Sequence, residues 1–140
     1  MTIGLNPSIG FKDNAREAME DYLSVLGGEL SITTFGEFGG APGGLDEDHV
    51  MHSVLRTPDG LVLMAGDLPE GMPWTSGSAI AISLSGDDVQ RLRSCCAGLA
   101  EGGEVTPLEN QMWGDEYGQL VGRFGIGWVA NINTTAAEGN

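Results

Sequence analysis

A four-residue phrase occurs twice in this chain, and the repetition limits the fold more than any single motif. Gly27-Gly28-Glu29-Leu30 returns 75 residues later as Gly102-Gly103-Glu104-Val105. At the same offset Ser8-Ile9 falls on Ser83-Leu84, and Asp13 falls on Asp88. Each phrase closes an amphipathic stretch. Residues 14–26 put Ala15, Ala18, Met19, Tyr22 and Leu26 on one helical face, and residues 87–100 put Val89, Leu92, Cys96 and Leu99 on one stripe. Asn14 with Glu17, and Ser85 with Asp88, have the spacing of a capping box, and the paired glycines supply the left-handed stop. A short strand is expected before each helix, at 5–11 and 79–84. Three strand-like segments follow each one: 29–35, 49–57 and 61–65, then 105–108, 119–121 and 126–132. Pro58-Asp59-Gly60 and Arg123-Phe124-Gly125 occupy matching turns. Strand, helix and three strands, used twice, predict an α+β chain of two βαβββ modules.

With 140 residues the chain can bury its own core without a disulfide or metal staple. Module 1 is expected over about 3–67 and module 2 over about 78–133. Residues 68–77, with Pro69, Gly71, Pro73 and Gly77, read as the linker between them, and 134–140 as a flexible tail. Residues 36–44, with five glycines and Pro42, read as a mobile loop. Six Lys and Arg against twenty Asp and Glu give a net charge of -14, which repels phosphate backbones and anionic lipid, so nucleic acid is excluded as a partner. No apolar run approaches the roughly 20 residues of a membrane helix. The first residues lack the basic-then-apolar pattern of a secretory signal, and a cytoplasmic location is expected. Cys95 and Cys96 are read as reduced thiols, Cys96 in the core and Cys95 on its flank. His49, after the acidic run 46–48, is expected to be solvated.

A family likeness is carried by Leu5-Asn6-Pro7, by Asn14-Ala15-Arg16-Glu17-Ala18 running to Tyr22, and by Val50-Met51-His52. It continues through Ser83-Leu84-Ser85-Gly86-Asp87-Asp88, Trp113-Gly114 and Phe124-Gly125-Ile126-Gly127-Trp128. In this order and spacing the chain resembles the PhnB-like branch of the vicinal-oxygen-chelate superfamily, the glyoxalase/bleomycin resistance proteins. The resemblance implies curved mixed β-sheets with a helix packed on each, and a homodimer. It also implies that metal-dependent members place His or Glu on the first and last strand of each module. The corresponding positions here are Asn6 and Met64, then Ala81 and Val129. None is His, Glu or Asp, and a divalent ion needs several N, O or S ligands around one point. No metal and no cofactor are therefore expected.

Candidate ligand-binding residues are His52, Trp113, Tyr117, Glu37 and Gln111, with Glu109 beside them. His52, sharing a face with Val50 and Val54, could orient a ligand or exchange a proton near neutral pH; the plainer alternative is a histidine at the edge of the core. Trp113 and Tyr117 could form an aromatic wall, Trp128 reads as core, and the carboxylates equally suit a solvated surface. No catalytic residue is assigned. The leading expectation is metal-independent binding of a small molecule in the half-barrel groove. A cationic ligand would suit so acidic a chain, as with the drugs that bleomycin-type resistance proteins of the superfamily sequester. The alternatives are a metal-dependent lyase, isomerase or dioxygenase-type enzyme, and a dimeric scaffold with a degenerate pocket.

Overall fold

Proline has no N–H to give a sheet, so the chain can first join one through the carbonyl of Pro7, which accepts from Met64 N at 3.0 Å. In the computed structural model, which describes residues 3–41, 45–69, 71–72, 74, 77, 79–111 and 114–134, strand β1 then runs over Ser8–Phe11. Helix α1 covers Ala15–Leu26. It leads to β2 (Glu29–Thr34), β3 (Val50–Arg56) and β4 (Val62–Asp67). The sheet order is β1-β4-β3-β2, with β1 parallel to β4 and the other neighbours antiparallel.

The second module repeats the plan. Strand β5 is Ile82–Gly86, helix α2 is Val89–Ala100, and β6 (Glu104–Asn110), β7 (Glu116–Val121) and β8 (Gly127–Ile132) follow. The order β5-β8-β7-β6 reproduces the first sheet, again with one parallel pair, β5 with β8. The register repeats as well: Ser8 faces Met64, and Ser83 faces Val129. The last two strands of each module are joined by the same turn, closed by Thr57 N to Leu61 O in one and Gly122 N to Ile126 O in the other. The units Met1–Thr75 and Ser76–Asn140 each hold one module.

Each sheet buries one face under its helix. Ala15, Ala18, Met19, Tyr22 and Leu26 are the buried positions of α1, the five that its periodicity selects. They meet Leu55, Leu63 and Ala65 of the alternate strand positions. In the second module Leu92, Cys95, Cys96 and Leu99 of α2 lie over Leu120, Ala130 and Ile132. The glycines at the helix exits are needed for contact rather than flexibility alone. A Cβ on Gly28 would stand 2.1 Å from Arg56 O, and one on Gly103 would stand 2.0 Å from Val121 O.

Several sequence expectations are corrected. The Asn14 side chain makes no cap bond; instead the buried carboxylate of Asp67 accepts from Ala15 N at 2.9 Å and from Val50 N at 2.8 Å. α2 starts at Val89 rather than 87, capped by Asp88 accepting from Arg91 N. Strand β5 lies later than 79–84, because Ser85 and Gly86 pair with Asn131 and Ile132. β6 runs from Glu104 to Asn110, beyond the expected 105–108, through a bulge: Thr106 faces Gln119 and Glu109 faces Tyr117, leaving Pro107 and Leu108 opposite Gly118 alone. β7 begins three residues before the expected 119, since Glu116 is held by Arg93 of α2 and Gly118 leaves room for Leu108. Cys95 is buried like Cys96, not a flank. Residues Gly36–Phe38 of the expected mobile loop form a 3-10 turn. His49, expected to be solvated, accepts from Asp46 N through Nδ1 at 2.7 Å.

Candidate functional site

The strand pleat leaves each sheet a second face, away from its helix. In the first module that face carries Ser8, Val54, Met64 and His52. A bulge between Thr33 and Thr34 changes the expected neighbours of His52: Thr33 faces His52 but Thr34 faces Val50. Val50 therefore turns into the core while His52 stays exposed, so the two do not share a face. Glu37 is committed to its own turn, where its Oε2 accepts from Thr34 N at 2.7 Å and from the Thr34 hydroxyl at 3.2 Å.

In the second module the open face holds a groove of about 600 Å³. Ile80, Ala81, Val121 and Val129 give it hydrocarbon walls, and Glu104, Thr106 and Gln119 give it a carboxylate, a hydroxyl and an amide. The groove follows from strand order. Gln119 faces Val129 on one side and Thr106 on the other, while Val121 faces Gly127 and Glu104. Gly127, at the start of β8, adds no side chain to the lining. Ile80 is 85% exposed, an unusual state for so large an aliphatic residue. Ala81 and Val129, marked in the sequence as two of the four superfamily ligand positions, thus line one groove with Glu104, Thr106 and Gln119, which sequence reading passed over. The signal available for those three was parity: once Trp128 is assigned to the core, Val129 and its cross-strand partners must face the other way.

Tyr117 lies one pleat along the same face, opposite Asn131 and Glu109. Its hydroxyl accepts from Gln119 Nε2 at 3.3 Å, and Asn131 Nδ2 donates to Asp115 Oδ2 at 2.9 Å. Gln111 donates through Nε2 to the carbonyl of Glu109 at 3.1 Å, so Gln111, Glu109 and Tyr117 meet at one end of the sheet. Trp113 lies outside the described residues.

No family model matches the chain. Among curated proteins, YjdN of Escherichia coli K12 is 24% identical over 91% of this chain and 94% of its own length. Mb0911c of Mycobacterium bovis is 29% identical over 91% and 84% respectively. Among solved structures, protein PA1353 from Pseudomonas aeruginosa is 32% identical with a TM-score of 0.80, covering 94% of this chain and 98% of that one. A PhnB protein from Bacillus cereus (20% identity, TM-score 0.70, 93% and 99% covered) shares the fold. So does the bleomycin resistance determinant encoded on transposon Tn5 (18%, 0.58, 95% and 99%). The chain has the glyoxalase/bleomycin resistance fold.

At the four positions where metal-dependent members of the superfamily carry ligands, this chain offers a methyl group at Ala81, an isopropyl group at Val129, a thioether at Met64 and an amide at Asn6. That donor set does not fit a hard or borderline divalent ion, which wants imidazole or carboxylate at most positions. Among the described residues no three His, Cys, Asp or Glu side chains come together in a cluster able to hold a metal ion. No helix among them is long and apolar enough to cross a membrane.

Proposed function

We propose that this protein is a member of the vicinal-oxygen-chelate superfamily that binds a small organic cation without a metal ion, in the groove on the open face of the second sheet. The observation that carries the reading is the make-up of that groove: apolar walls of Ile80, Ala81, Val121 and Val129 with Glu104 as the carboxylate in the lining. Small-ligand sites combine mostly apolar surface with a few placed polar groups, and the volume falls in their usual range. The overall charge of -14 adds long-range attraction for a cation. Gln119 and Thr106 supply hydrogen bonds, and Tyr117 extends the polar row along the same face. Binding without covalent chemistry needs no proton-transfer group, and none is assigned. The protein is further proposed to act as a cytoplasmic homodimer, which light scattering would test by returning twice the chain mass.

The test is a thermal-shift titration with benzyltrimethylammonium and its neutral isostere neopentylbenzene. A ligand that binds the native state alone raises the melting temperature by mass action. The cation is expected to stabilise the wild type, Glu104→Gln to weaken that effect, and Val129→Trp to remove it by filling the groove. Equal stabilisation by the neutral compound would remove the cation. Stabilisation by zinc or manganese ions at equimolar concentration would overturn the metal-independent reading and restore the enzyme alternative.

A further inference from the structure

The segment after β4 folds back on the first module rather than leaving it. The indole of Trp74 donates from Nε1 to Gly10 O at 2.9 Å, and Lys12 Nζ stands 5.1 Å from the centre of its ring. Beside them lies a separate groove of about 360 Å³ whose walls include Leu45, Leu68, Pro69 and Met72, with Lys12 and Asp13 supplying charge. Trp74 and Met72 remain 41% and 53% exposed. The indole is thus pinned by its edge while much of its surface stays open, so a ligand ring placed against it need not order the side chain first. The volume suits one aromatic ring with a short substituent.

Charge then selects the substituent. The chain has six Lys and Arg against twenty Asp and Glu, and the other cations mostly have partners. Arg93 is paired with Glu116, and Arg16 donates to Asp48 O. Lys12 makes no ion pair or hydrogen bond among the described residues; its recorded contact is the ring of Trp74. An ammonium on the lining of a groove walled by Trp74 and aliphatic side chains is complementary to an anion borne on an apolar ring. Asp13 on the same lining disfavours a second negative charge. We infer that this groove is a second binding site, for a small aromatic monocarboxylate whose ring lies against Trp74 and Met72 and whose carboxylate meets Lys12.

The site is independent of the cation groove: it lies in the other module and asks for the opposite charge. Benzoate, benzamide and phthalate are the probes, titrated into the full-length chain at low salt and followed by tryptophan fluorescence and calorimetry. Benzoate is expected to bind saturably, with benzamide and phthalate about tenfold weaker, the order of one charge-assisted contact. Lys12→Gln should bring benzoate and benzamide to within about threefold of each other while leaving benzamide unchanged. Trp74→Leu should abolish binding of both, with a melting curve confirming that the variant is folded. The inference is overturned if benzoate and benzamide bind wild type alike, if Lys12→Gln keeps the preference, or if Trp74→Leu binds as wild type does. It is equally overturned if benzoate shows no saturation up to ~50 mM. Benzyltrimethylammonium should not compete with benzoate, which separates failure here from failure of the cation groove.

Discussion

Replacing Asp67 with alanine removes the acceptor for two main-chain N–H groups at once. Its carboxylate takes the first N–H of α1 at Ala15 and the entry of β3 at Val50, and Asp67 itself ends β4. Both donor residues are completely buried, so no water can replace the lost partner. A hydrogen bond to a charged group contributes roughly 1.5–3 kcal/mol, and the carboxylate also faces the positive end of the helix dipole. Allowing for overlap between these effects, Asp67→Ala should cost about 3–5 kcal/mol. Unfolding entropy of about 2.1 cal/mol/K per residue gives a chain of this length roughly 0.3 kcal/mol per degree, so the melting temperature should fall by about 10–17 °C. Asp67→Asn keeps one acceptor oxygen but turns an NH2 toward the second N–H, and should fall nearly as far. Calorimetry reads the shift, and amide exchange at Ala15 and Val50 reads its origin, since both should lose protection together. Asp13→Asn, on the surface one residue before Asn14, is the control and should move stability by no more than about 0.5 kcal/mol. A fall below about 3 °C for Asp67→Ala, or unchanged exchange at both amides, would refute the reasoning.

Gly103→Ala should destabilise the chain by about 2 kcal/mol or more in denaturant titration, because backbone at Val121 and Gly122 stands where the methyl must go. Gly125→Ala meets no neighbour within 4 Å but has φ of 83°, so its smaller cost, about 1 kcal/mol, is one of backbone strain. Burial, and then the neighbouring Cys95, push the Cys96 thiol above its ordinary range. The unfolded chain therefore ionises first, and stability should decline as the pH rises above about 8.5, the ordinary thiol value, less so in Cys96→Ala, as pH-dependent melts would show. Native protein should also resist thiol alkylation at neutral pH until denatured. Incubation with chelator should leave the melting temperature unchanged, and elemental analysis should find well under one equivalent of transition metal; a stoichiometric metal would reverse that expectation.

What could be read from the sequence was what acts locally. Helical periodicity picks out all five buried residues of α1, because residues three and four apart share a face whatever lies opposite. Gly27 and Gly102 mark both helix exits for an equally local reason, a positive φ, whereas Gly28 and Gly103 answer to strands distant in sequence. The Asp67 cap was hidden by distance, its two donors lying 52 and 17 residues away in sequence. So was the start of β7, where Glu116 resembles a loop residue until Arg93, 23 residues earlier, is placed beside it. The side of the sheet that Val50 takes depends on one inserted residue at Met51, which no alternation pattern announces. Of the candidate site, Ala81 and Val129 were marked by counting along the repeat. Glu104, Thr106 and Gln119 needed the cross-strand register, which only the folded sheet supplies.

Pro107 has a consequence beyond the bulge it occupies. It sits on β6, the outer strand of the second sheet, and withholds one donor from that border. An incoming strand would find the ladder broken there and kinked by the extra residue. On the opposite border, β5 runs from Ile82 through Ser83, Leu84 and Ser85 to Gly86 without a proline. The sheet is therefore barred from growing on one side and permissive on the other. Any extended segment that this protein recruits by main-chain pairing, whether from another molecule or from a second copy of the chain, should add alongside β5. Replacing Ser83 or Ser85 with proline would close that border, while changes at β6 would leave the recruitment untouched.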